Sequence, residues 1–68
     1  MIHINRKVEF NPYHGLHLGG LPISNEKVIG TVKYINAEHQ WFSVEYGDPV
    51  MRISFNFSDI GRNVFLCK

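Results

Sequence analysis

QWFSVEYGDPVMRISFNF, residues 40–57, alternates apolar and polar residues on both sides of a Gly-Asp-Pro-Val segment. Such alternation marks strands with one buried face, because successive side chains point to opposite sides. Taking GDPV (47–50) as a four-residue loop sets Tyr46 opposite Met51, Val44 opposite Ile53 and Phe42 opposite Phe55. These apolar residues then share one face. The other face receives Glu45 opposite Arg52, Ser43 opposite Ser54 and Trp41 opposite Asn56. A slip of one residue mixes the two faces, so this register defines a hairpin of strands 40–46 and 51–57.

The pattern extends in both directions. VIGTVKYI (28–35) is rich in β-branched residues and precedes a turn-like Asn36-Ala37-Glu38. As a three-residue loop, that turn sets Val32 opposite Phe42, Gly30 opposite Val44 and Val28 opposite Tyr46. It also sets Lys33 opposite Trp41 and Thr31 opposite Ser43, on the polar face. Gly30 marks a bend or bulge. KVEF (7–10) supplies a first strand and NVFLC (63–67) a closing one. Met1–Asn5 either extends the first strand or frays.

The expected fold is all-β: a single domain, 1–68, forming a small five-stranded SH3-like barrel. A long loop (11–26) follows its first strand, and a one-turn 3-10 element at Ser58–Gly61 precedes its last. Closure removes the exposed edges of so small a sheet. The expected core is Val8, Phe10, Val28, Val32, Phe42, Val44, Met51, Ile53, Phe55, Ile60, Val64 and Leu66.

Composition narrows the function classes. The chain has 68 residues, 44% hydrophobic and 19% charged, which is a globular balance. Seven basic and six acidic residues leave a formal charge of +1. A nucleic-acid partner would therefore need a local basic patch rather than a global field. One cysteine, Cys67, forms no internal disulfide, which fits a reducing, cytoplasmic setting. The N-terminus has no long apolar run, so neither a signal peptide nor a membrane span is expected.

Three resemblances attach to these residues. GTVKYINAE (30–38) resembles the nucleic-acid-binding strand of cold-shock domains, which implies that Lys33, Tyr34 and His39 face nucleic acid. Gln40-Trp41-Phe42-Ser43 then departs from the glycine-aromatic-glycine-phenylalanine stretch of that family. GTV before an apolar strand also resembles a KOW element, an SH3-like module. Val8–Tyr13, Gly30–Val32, Trp41–Gly47 and Phe57–Gly61 together make the chain similar to small SH3-like (KOW-like) barrel proteins of Gram-positive phages and integrative elements. That similarity implies a mobile-element origin and specifies no activity.

Trp41 is the leading candidate site residue. The register points it away from the core, and an outward Trp offers large apolar area at low entropy cost. SH3 domains keep a ligand-contacting tryptophan at the corresponding place. In the competing structural reading, Trp41 covers its own sheet by stacking on Lys33. The binding reading is a protein partner of the host or a defence system, engaged by Trp41, Lys33, Asn56, Tyr13 and Arg52, with inhibition or modulation of an enzyme as the outcome. The alternative is nucleic acid, with Trp41 and Tyr34 stacking on bases and Lys33, His39 and Arg52 contacting phosphates. A homodimer through the same face is a third reading.

The long loop carries His14 and His17, whose H-x-x-H spacing would make a zinc site only with further ligands such as Cys67 or His39. The plainer reading is a loop folded over a barrel mouth with its leucines as anchors, and no metal or cofactor is assigned. No catalytic constellation appears: Ser43 has no histidine–acid partnership, and Cys67 has no visible activating base. The expectation is a binding module, not an enzyme.

Overall fold

A computed structural model describes residues 2–13, 16–22 and 24–68. Its strands are β1 (Lys7–Phe10), β2 (His17–Leu18), β3 (Leu21–Pro22), β4 (Val28–Asn36), β5 (Trp41–Tyr46), β6 (Met51–Asn56) and β7 (Val64–Leu66). A 3-10 turn, Phe57–Asp59, joins β6 to β7. The five principal strands form one antiparallel sheet in the order β6-β5-β4-β1-β7. The all-β class, the long loop after the first strand and a 3-10 turn before the last are as the sequence implies. The turn is Phe57–Asp59 rather than Ser58–Gly61. Among the described residues no ladder joins β6 to β7, so the sheet keeps two edges. Among the described residues, no helix is long and apolar enough to cross a membrane.

Alternation builds the core. Val8, Phe10, Val32, Phe42, Val44 and Val64 are fully buried. Aromatic rings run through it: Phe10 meets Tyr46 edge-on at 5.1 Å and Phe55 at 5.3 Å, and Phe55 lies 5.8 Å from Phe42. Val28, Ile53, Ile60 and Leu66 pack against this cluster from partly buried positions. Met51 departs from the expectation and is 50% exposed. It opens the edge strand beside the 47–50 turn, where no further strand covers it. Ile2 is buried instead, because Asn5 donates to the Val32 carbonyl (2.8 Å) and Val32 to the Arg6 carbonyl (2.9 Å), which ties the N-terminal segment to β4.

The β5–β6 hairpin has the register read from its alternation, from Trp41 opposite Asn56 to Tyr46 opposite Met51. The β4–β5 hairpin does not. Its turn is Ala37–Gln40, with Asn36 opposite Trp41, Ile35 opposite Phe42 and Tyr34 opposite Ser43. The register then shifts at Lys33, and Val32 lies opposite Val44. Lys33 is thus an extra residue, a β-bulge, so Val32 does not face Phe42 and Lys33 does not face Trp41. The bulge keeps Val32 and Ile35, an odd number of residues apart, on the same inward face. Gly30 is not the bulge. It pairs with Val8, and a Cβ there would overlap the Val44 side chain and press on Phe10 and the Glu45 carbonyl.

Candidate functional site: an aromatic depression on the outer sheet face

A bulge places consecutive residues on one side of a strand, and here both Lys33 and Tyr34 are exposed. Tyr34 is 51% exposed and meets Trp41 at 5.3 Å between ring centroids, tilted by 43°. Trp41 begins β5 directly after the 37–40 turn. Asn36 holds that turn through its side-chain oxygen, which accepts from the His39 N–H at 3.0 Å. Gln40, with φ of 59°, reverses the chain into β5.

Lys33, Tyr34, Trp41, Ser43, Arg52 and Ser54 line a depression of about 370 Å³. Its shape follows from side-chain size. Two serines, paired across β5 and β6, lie between the large Tyr34–Trp41 pair and the long Arg52. Ser43 is only 4% exposed although it belongs to the outer face, so the surrounding side chains shelter it. Arg52 donates to Glu45 at 2.6 Å, the cross-strand pair expected from the register. Among the described residues Lys33, the other cation at the rim, makes no ion pair.

Four of the sequence-derived candidates, Lys33, Tyr34, Trp41 and Arg52, therefore meet around one depression. Trp41 stands against Tyr34 rather than stacking on Lys33. Asn56 is opposite Trp41 but does not line the depression, and its N–H is held by Asp59 at 2.8 Å. Tyr13 lies on the loop between β1 and β4, 42% exposed, where its N–H bonds the Asn11 side chain at 2.8 Å. His39 is exposed on the 37–40 turn, outside the lining set. Ser43 and Ser54, placed on the outer face by the register but not read as binding residues, also line the depression. Small polar residues paired across two strands beside aromatics were their signal.

The zinc reading needs His14, which lies outside the described residues. Among the described residues, no three His, Cys, Asp or Glu side chains cluster to hold a metal ion. The leucines of the long loop do not anchor it: Leu16, Leu18 and Leu21 are 51%, 80% and 70% exposed. A second depression, about 330 Å³, is lined by Ile2, Ile35, Ala37, Phe57 and Ile60. It presents no polar side chain with which to select a ligand.

Comparison with family models, with characterised proteins and with solved structures returns no match. The functional reading therefore rests on the chemistry of the outer face.

Proposed function

We propose that the protein is a small, non-enzymatic binding module whose outer β4–β5–β6 face engages a protein partner, with Trp41 as anchor. The observation that carries this reading is the Tyr34–Trp41 pair beside the sheltered Ser43 and the exposed Ser54. A ring edge or aliphatic side chain seated there would bury both aromatic faces, while the serine hydroxyls would accept or donate hydrogen bonds. Aromatic anchors beside a pocket are the usual origin of binding energy in protein interfaces. The low net charge suits a partner selected by shape rather than by a long-range field. Covering a partner's working surface is the action such a module performs, so inhibition or modulation of a host or defence enzyme is the outcome proposed.

A second reading, nucleic-acid binding, is favoured by Lys33 and Arg52 lying beside the same two rings. Base stacking on Tyr34 or Trp41 with phosphate contacts from the cations is the chemistry of single-strand binders. The two readings separate by salt, since phosphate contacts weaken steeply as salt rises.

The test is affinity capture from a Gram-positive cell lysate, with and without nuclease, using the parent and Trp41→Ala. The expected result is a protein that survives nuclease and moderate salt and is lost with Trp41→Ala, while the variant keeps its circular dichroism and melting transition. Binding that vanishes with nuclease would overturn the protein-partner reading. A Trp41→Ala variant that melts far earlier than the parent would make Trp41 structural.

A further inference from the structure

The two edges of the five-stranded sheet differ. β7 is three residues long, and its outer side is already occupied: Ile60 bridges Val64, and the Gly61 N–H donates to the Val64 carbonyl at 2.8 Å. β6 is six residues long and carries no bulge and no proline. Long, regular edges of this kind pair with another strand unless a protein blocks them.

The free backbone groups of β6 can be assigned. The Phe57 N–H donates to the Gln40 carbonyl at 2.8 Å, in the same register as the β5–β6 ladder. Antiparallel ladders alternate, so Phe55, Ile53 and Met51 also bond inward to β5, whereas Arg52, Ser54 and Asn56 point their N–H and C=O outward. The Asn56 N–H is taken by Asp59, and Val50, the next position of outward parity at the other end, belongs to the 47–50 turn rather than to the strand. Among the described residues, the open row therefore centres on Arg52 and Ser54.

We infer that this row pairs with its own copy, forming an antiparallel β6–β6 dimer about a two-fold axis at Ile53. In that register Arg52 of each chain faces Ser54 of the other, and four N–H···O bonds use the outward N–H and C=O of both residues. The neighbouring registers are worse. An axis at Arg52 sets two like charges directly opposite, and an axis at Ser54 brings Arg52 against Asn56, whose N–H is occupied. The chosen register also brings the exposed Met51 across from Phe55 of the second chain. Arg52, the one charge on the strand, is already balanced by Glu45, so the edge selects for backbone fit rather than for an oppositely charged partner. The sheet would become ten-stranded, with both Trp41 depressions on one continuous face. One short strand per copy makes a contact at the small end of protein interfaces, so the association is weak and reversible.

Sedimentation of the full chain over micromolar to millimolar concentrations tests this. The average mass is expected to climb from 7.9 kDa toward twice that value. Ser54→Pro removes an outward donor, and Ser54→Lys sets two lysines opposite the two Arg52 side chains. Both should hold the protein at the single-chain mass, while Trp41→Ala should still dimerise. Should Ser54→Pro disturb folding, Ser54→Lys on the exposed face carries the test alone. A parent that stays at 7.9 kDa throughout overturns the inference. So does a dimer that survives Ser54→Lys or is lost with Trp41→Ala, since it would form through another surface.

Discussion

β5 belongs to two hairpins, and they obey different rules. On its β6 side the pairing is regular for six consecutive residues, and every side chain falls on the face that parity assigns. On its β4 side the ladder gains Lys33, and the faces stay sorted only because of that extra residue. The difference is functional as well as geometric. The regular hairpin supplies the serine floor and the Glu45–Arg52 pair. The irregular one supplies Lys33 and turns Tyr34 outward against Trp41. Bulges concentrate where a strand must re-aim side chains, and this one lies beside the candidate site.

Removing what the hairpins share should have the largest effect. Phe42 faces Ile35 on one side and Phe55 on the other, and it is fully buried. Phe42→Ala is expected to cost about 3–5 kcal/mol, comparable to the whole stability of a domain this small. Denaturant titration should find it largely unfolded; a near-parental midpoint would break the two-hairpin picture of the core.

The next two substitutions sharpen the β4 side. Gly30→Ala places a methyl group against Val44, Phe10 and the Glu45 carbonyl, and overpacking of this kind costs about 1–3 kcal/mol. Thermal melting should register the loss. Gln40→Gly should act in the opposite direction. Gln40 holds a left-handed conformation at φ 59°, and relieving it is expected to add about 1 kcal/mol of stability in the same assay. A destabilised Gln40→Gly would mean that the side chain contributes more than the turn geometry.

The smallest effect belongs to the regular hairpin. Glu45→Gln removes a pair whose arginine is 67% exposed, and such pairs are worth about 0.2–1 kcal/mol. The loss should shrink as salt is added. A larger, salt-insensitive loss would show that Arg52 is fixed by more than its carboxylate partner.

The same contrast explains how much was legible beforehand. From Phe42 to Phe55 the loop length and the alternation agree, so register, charge pair and buried face could be read residue by residue. In β4 the signal was subtler: Val28, Gly30 and Val32 keep one parity and Ile35 breaks it. An odd interval between inward residues requires a bulge, but a three-residue loop hid the break by pairing Val32 with Phe42 instead. Ile2 was invisible for another reason. It stands alone without periodicity, and only backbone bonds from Asn5 and Arg6 to Val32 bring its segment to the core. Met51 had the right parity but lacked a neighbour beyond the edge. At the site, Trp41 was legible from the regular ladder alone. Its contact with Tyr34 was not, because it depends on the four-residue 37–40 turn, which sets Tyr34 opposite Ser43 where a three-residue loop would set it inward.

Deleting one residue from each hairpin tests the contrast between the irregular and the regular ladder most directly. Without Lys33 the ladder closes with Val32 opposite Val44, Tyr34 opposite Ser43 and Ile35 opposite Phe42, all inward residues still inward. Without Ser54, half of β6 must turn its apolar side chains to solvent. Equilibrium unfolding followed by Trp41 fluorescence should show a cooperative transition for the Lys33 deletion, with altered native emission, and none for the Ser54 deletion. If the Lys33 deletion unfolds as completely as the Ser54 deletion, Lys33 is not the extra residue and the account of the aromatic face fails.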